Sequence, residues 1–300
     1  CKLAEKWMQK TAVDSELQVN ENDTQIHIKG REFAYTIDKR TALFTEMKFA
    51  GREYLNHPME LNIWRAPTDN DMYIKSEWKK AHYDKAYTRA YTTEVVQGKH
   101  GVKITSHASV VAETVQKILD VTITWKIDAS GKIDADIEAT KDGEFPDLPR
   151  FGVRMFLDKK LSAVRYFGMG PQESYCDKHQ AASHGLYRAD VGDLHEDYIR
   201  PQENGSHYDC EYVELNNSRY GIVASAEKAF SFNASYYTQE ELEKKTHNYE
   251  LIESDSVVFC VDYALNGIGS NSCGPVVLEQ YRFDDVLFRF QFTLIPYVKG

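Results

Sequence analysis

Leu119-Asp120-Val121-Thr122-Ile123-Thr124-Trp125-Lys126-Ile127-Asp128 leads through Ala129-Ser130-Gly131-Lys132 into Ile133-Asp134-Ala135-Asp136-Ile137-Glu138-Ala139-Thr140, and this stretch decides the fold class. Apolar residues take every second position on both sides of a four-residue turn signal. That is the mark of a half-buried antiparallel hairpin. The same period recurs outward from it. Upstream, Ile26, Ile28, Phe33, Tyr35 and Ile37 alternate, a turn at 38–42 leads to a strand over 43–49, and Ala50-Gly51-Arg52 reverses the chain again. The segments 87–96, 102–111 and 114–128 continue it. Downstream, strands are predicted over 151–157, 164–167, 211–215, 221–226, 230–237, 257–263 and 283–296. Only 76–85, with Ser76 as its cap, and 239–245 have helical spacing. No βαβ repeat occurs, so a doubly wound parallel sheet is excluded. The expectation is all-β: a large antiparallel β-sandwich over 21–300, with long loops and one or two short helices, after a linker over 1–20 that carries a short amphipathic piece at 3–8.

The composition narrows the function classes. A net charge of −10 argues against nucleic acid and anionic membranes, which need clustered Lys and Arg. No run approaches the roughly 18 apolar residues that span a bilayer. The five cysteines are scattered without C-x-x-C spacing, so they form neither a disulfide framework nor a zinc site and read as thiols in a reducing cytoplasm. The start at Cys1 has no initiating Met and no apolar leader run, which reads as an excised piece. The ten histidines form no metal-binding motif, and no cofactor is indicated.

Four loop-forming stretches carry the chemistry. In Asn62-Ile63-Trp64-Arg65-Ala66-Pro67-Thr68-Asp69-Asn70-Asp71 an extended backbone would hold Asp69 and Asp71 about 6.6 Å apart, near the carboxylate spacing of a retaining glycosidase. Carboxylates two apart in a loop are more often turn-formers or arginine partners. In Arg165-Tyr166-Phe167-Gly168-Met169-Gly170-Pro171-Gln172-Glu173-Ser174-Tyr175, Glu173 is a carboxylate among aromatics, and the glycines mark an exit from a strand. Arg200-Pro201-Gln202-Glu203-Asn204-Gly205-Ser206-His207 offers Glu203 and His207 as a base and an acid for a sugar hydroxyl, against the plainer reading of a turn at Asn204-Gly205. Gly267-Ile268-Gly269-Ser270-Asn271-Ser272-Cys273-Gly274-Pro275 is a tightly shaped loop without a basic neighbour to activate Cys273. Between 168 and 207 the strand pattern lapses, and loops of such length inside a domain are usually functional or interfacial.

In this order, the four stretches resemble the C-terminal domain of glycoside hydrolase family 2 β-galactosidases, over residue 20 to the end. The resemblance implies a galactose-mutarotase-like supersandwich, the last of five domains or, in some bacteria, a separate small subunit. It implies that this part completes the aglycone side of the pocket, through Asn271 and Cys273, and the interdomain or subunit interfaces. Some members carry a stacking tryptophan where Cys273 stands. Arg65, Asp69, Asn70 and Asp71 then root a mobile active-site loop, and Tyr73 replaces a glycine common at its hinge. Glu173, Glu203 and His207 are further loop candidates. The catalytic glutamates and the Mg and Na ligands belong to a preceding barrel domain or large subunit. This chain therefore holds no catalytic residue and no metal, and is expected to be inactive alone and to sit in an oligomeric enzyme acting on β-galactosides. Two other readings fit the residues: a free-standing aldose 1-epimerase using Glu203 and His207, or a carbohydrate-binding module with Trp64, Trp78 or Tyr175 as its platform.

Overall fold

The computed structural model describes residues 17–114 and 117–299, and in these the period-two alternation becomes seventeen strands, all paired antiparallel. The first five form a meander sheet in chain order: β1 (Gln18–Glu21), β2 (Gln25–Lys29), β3 (Phe33–Asp38), β4 (Leu43–Phe49) and β5 (Arg52–Glu53). The remainder build one large sheet. They are β6 (Leu55–Asn62), β7 (Tyr87–Gly98), β8 (Gly101–Val111), β9 (Leu119–Asp128), β10 (Ile133–Lys141) and β11 (Arg150–Asp158). After these come β12 (Ala163–Gly170), β13 (Ser183–Asp190), β14 (Ser206–Asn216), β15 (Tyr220–Ser235), β16 (Ser256–Leu265) and β17 (Leu287–Val298). Two short helices, α1 (Ile74–Lys80) and α2 (Gln239–Lys244), lie in connections.

The hairpin of β9 and β10 pairs Ile127 with Ile133, Trp125 with Ala135 and Ile123 with Ile137, so the whole apolar set shares one buried face. Its turn is held by Asp128, whose Oδ1 accepts from Ser130 N at 2.8 Å and Lys132 N at 3.2 Å. The small sheet closes over this face. The Phe44 and Trp125 rings meet edge to face at 4.9 Å, the Trp125 indole donates to Ala42 O at 2.8 Å, and the Tyr35 hydroxyl donates to Gly131 O at 2.7 Å. Strand β15 is the branch point of the large sheet. Residues 220–225 pair with β17, and residues 231–235 pair with β16, which continues to β11 and β6.

Several boundaries differ from the sequence expectation. Gln18 to Asn20, placed in the linker, belong to β1, while Cys1 and the amphipathic piece at 3–8 lie outside the described residues. The helix expected over 76–85 runs over Ile74–Lys80, with Ser76 inside its first turn donating to Tyr73 O, and His82 at φ +57 ends the continuation. The segments 221–226 and 230–237 are one strand whose exposed centre, Glu227-Lys228-Ala229, broke the apolar pattern. The loop expected over 168–207 contains the edge strand β13, whose largely solvent-facing residues give no strand period. The strand predicted from 283 starts at Leu287.

Two turns set opposite expectations for stability. Gly131 sits at φ +87, and a Cβ there would lie 2.9 Å from the Phe33 ring, so Gly131→Ala should cost about 2 kcal/mol in a denaturant titration. Ala50 and Gly51 form the two-residue loop between β4 and β5 at φ +48 and +76, where the first position favours asparagine. Ala50→Asn should gain about 0.5 kcal/mol by the same measurement.

Candidate functional site

Strand β6 ends at Asn62, and the chain leaves the sheet inward rather than outward. Trp64 and Arg65 follow as buried side chains, Arg65 with no exposure at all. A buried guanidinium needs acceptors in fixed directions. Nη2 donates to Asp71 Oδ1 at 2.7 Å and to Gly267 O at 3.3 Å, and Nη1 donates to Asn266 O at 2.5 Å. The other carboxylate oxygen of Asp71 accepts from Thr68 N at 2.8 Å and Thr68 Oγ1 at 3.1 Å. This reciprocal cap curls Asp69–Asp71 into a single 3-10 turn.

The curl removes the geometry behind the Asp69–Asp71 pair. The residues are not extended, and their side chains part: Asp71 is buried on Arg65, while Asp69 is exposed and its Oδ2 accepts from Gln202 Nε2 at 3.3 Å. Asp71 is thus an arginine partner and turn-former.

The four stretches meet in one loop cluster. Asn70 Nδ2 donates to Gly269 O at 2.6 Å, and Ser272 Oγ donates to Asn70 Oδ1 at 2.9 Å, joining the first stretch to the fourth. Asp177, just past the second stretch, accepts from Ile268 N at 2.9 Å and Gly269 N at 2.7 Å. Asp69 N donates to Gln202 Oε1 at 3.1 Å, and Glu203 N to Ala66 O at 3.0 Å, tying in the third. Glu173 receives Gly205 N at 2.8 Å together with Lys178 Nζ and the Tyr198 hydroxyl. It is a structural carboxylate between two of the stretches.

On the solvent side of this cluster lies a cleft of about 520 Å³, lined by Asn70, Asp71, Met72, Tyr73, Asn271 and Val276 among others. Met72, Tyr73 and Val276 are exposed, and Leu278, two residues after Val276, is 60% exposed. Tyr73 precedes α1 with φ −93 and ψ −52, a backbone conformation open to any residue. Cys273 is exposed and does not line the cleft. The cleft supplies amides, an aromatic ring and apolar surface. Three carboxylates also line it: Asp71 is committed to Arg65, Glu77 pairs with Lys80 at 2.9 Å, and Asp147 completes the set, with Arg282 as the guanidinium of the cleft.

The Glu203 and His207 pair is not available for sugar chemistry. Both are buried, and neither lines this cleft. Glu203 Oε2 lies 3.4 Å from Arg150 Nη1, and burial pushes its carboxyl above the ordinary range against the pull of Arg150 and Arg65. The His207 ring stacks on Tyr166 at 4.5 Å and meets Phe232 edge-on at 5.0 Å, and burial lowers its pKa to about 4. Arg150 itself forms a two-point pair with Asp262, at 2.6 and 3.2 Å, with both side chains fully buried. Trp64, Trp78 and Tyr175 are each no more than 3% exposed, so none is a binding platform. Among the described residues, no three His, Cys, Asp or Glu side chains gather as a metal site, and Cys176, Cys210, Cys260 and Cys273 are free thiols. No helix among the described residues is long and apolar enough to cross a membrane.

Arg150, Asp177, Asp262 and Asn266 escaped the sequence reading. Each acts on a partner at least 53 residues away, such as Arg150 on Glu203 or Arg65 on Asn266, and leaves no local signal.

Comparison with known proteins adds three findings. The family model described as beta galactosidase small chain matches residues 29–294. The beta-galactosidase of Actinobacillus pleuropneumoniae is 45% identical over 285 residues, 95% of this chain and 28% of that protein, and the beta-galactosidase of Staphylococcus xylosus is 33% identical over 94% of this chain and 28% of that one. The galactose 1-epimerase of Lactobacillus acidophilus NCFM aligns over 96% of this chain and 100% of its own with a TM-score of 0.48 and 9% identity. The chain thus spans about 28% of the length of the curated relatives just named.

Two measurements probe the buried groups. Asp71→Ala leaves the Arg65 guanidinium buried without its counter-charge and should cost about 3–5 kcal/mol in chemical denaturation. For His207 the folded-state pKa of about 4 lies below the ordinary 6.5, so the unfolded chain binds the proton first. Its share of stability is whole above pH 6.5 and declines as pH falls toward 4. His207→Phe should therefore flatten the pH dependence of the unfolding free energy across that window by up to about 3 kcal/mol.

Proposed function

The chain belongs to the β-galactosidase small-chain family, and from that premise we propose that it forms one wall of a β-galactosidase active site. The observation that carries this is the character of the loop cluster: a cleft wall whose root is held by the buried Arg65–Asp71 pair and which presents amide, aromatic and apolar groups. A retaining hydrolysis needs two carboxylates on the sugar. In this proposal they come from a catalytic barrel domain or large subunit, in the part of the relatives' length that this chain does not span, and that part also holds the Mg and Na of the complete enzyme.

The roles then divide by position. Asn70 and the loop beginning at Met72 border the sugar, with Tyr73 at the loop's root. Asn271 and Cys273 lie toward the aglycone. A cysteine there offers no ring for a glucose to stack on, so the aglycone subsite is held by hydrogen bonds rather than by an aromatic face. The exposed Met72, Tyr73 and Val276, which line one cleft, are the surface that meets the partner domain, because apolar surface rimmed by polar groups marks an interface. The complete enzyme is an oligomer acting on terminal β-D-galactosides in the cytoplasm.

A chromogenic galactoside assay tests this. The chain alone should show no turnover, and joining it to the remaining part of the Actinobacillus pleuropneumoniae relative should give hydrolysis. Turnover by the chain alone that is lost in Asp69→Asn or Asp71→Asn would overturn the proposal.

A further inference from the structure

Where β14, β15 and β16 run side by side, the connection from β16 to β17 borders a second cavity, of about 320 Å³. Its lining includes Tyr208, Asp209, Tyr263, Gln280, Tyr281 and Asp285. We propose that this cavity binds the terminal hexose of a neutral saccharide. The inference needs no partner domain and does not rest on the function proposed above.

The backbone is shaped for this lining. In a regular strand, neighbouring residues face opposite sides of the sheet. Here β14 breaks register with β15 between His207 and Cys210, and Asp209 sits at φ +56, so the consecutive residues Tyr208 and Asp209 both reach one cavity. A left-handed conformation outside glycine is unfavourable and persists only where the surroundings hold it. Several groups hold it: His184 Nε2 lies 3.1 Å from Asp209 O, the buried Ser174 hydroxyl accepts from Tyr208 N at 2.9 Å, and the His179 ring stacks on Tyr208 at 5.7 Å.

The lining matches the chemistry of a sugar. Half-buried tyrosines give apolar ring surface with a polar tip, suited to a pyranose that is apolar on its faces and hydroxylated at its rim. Asp209 and Asp285 accept hydrogen bonds from hydroxyls, and the exposed Gln280 amide both donates and accepts. Asp285 lies close enough to the Tyr263 hydroxyl to help raise its pKa, behind the larger effect of burial. Two carboxylates against the single guanidinium of Arg282 disfavour an anionic ligand. The volume is at the small end for ligand sites and suits one sugar ring. Beyond Tyr263 and Ala229 it borders an open groove of about 510 Å³ containing Asp134, Arg289 and Gln291, so a longer saccharide is not blocked.

The test is titration calorimetry of the chain with methyl β-D-galactoside, methyl β-D-glucoside and lactose, with amide chemical shifts followed by NMR. At least one probe should bind with a Kd on the order of 1 mM and shift the amides of residues 208–209, 263 and 280–285. Gln280→Ala, an exposed change that leaves folding intact, and Tyr208→Ala should each weaken binding about fivefold or more, while Asn271→Ala in the other cleft should not. Absence of binding by all three probes overturns the proposal. So does binding that Gln280→Ala and Tyr208→Ala leave unchanged, or that maps to Asn271.

Discussion

The buried pair of Arg65 and Asp71 is the constraint on which the loop end of this molecule depends. One guanidinium, fully withdrawn from water, is satisfied by a carboxylate six residues on and by two backbone carbonyls roughly two hundred residues away. A charge in such a place is tolerated only when its acceptors are fixed. The pair therefore dictates where the loop after β6 turns and where the loop after β16 begins. Asn70 and Ser272 then add a second clasp between the same two loops.

Beneath this node lies another buried set, Arg150 with Asp262 and Glu203. It explains why a carboxylate that looks chemical in the sequence is structural in the fold. Glu203 is consumed by the strand-borne Arg150, and its neighbour His207 is enclosed by aromatic rings. The loop cluster is braced by Asp71, Glu173 and Asp177, whose carboxylates accept hydrogen bonds from neighbouring loop residues. The consequence for chemistry is direct. Asp71 is withdrawn from the cleft's chemistry by its pairing with Arg65, and the amide, phenol and aliphatic groups of the lining can orient a ligand.

The same division explains the exposed apolar residues. Met72, Tyr73, Val276 and Leu278 stand on loops whose roots are pinned by buried polar contacts, so they cannot fold back onto the core. Apolar side chains held outward by a rigid base are stabilised when another surface covers them. That fits a chain that spans about 28% of its relatives' length.

Fold class was legible in the residues from Leu119 to Thr140 because a strand's two faces meet different solvents, and alternation records that difference locally. The hairpin turn at Gly131 and the reversal at Ala50-Gly51 were legible for a similar reason: few residues tolerate the backbone they need. The edge strand β13 was not, since neither of its faces is deeply buried, and β15 read as two strands because solvent reaches its middle. In the site, the four stretches were found from their residues, but their uses were not. Whether Asp71 and Glu203 are acids, bases or counter-ions depends on Arg65 and Arg150. Arg150 reaches Glu203 across 53 positions and Asp262 across 112, and only the folded chain brings them together. The sequence by itself determined the periodicity and the turns, which are properties of neighbouring residues. Tertiary structure decided every protonation role, because burial and the choice of partner are set by residues distant along the chain.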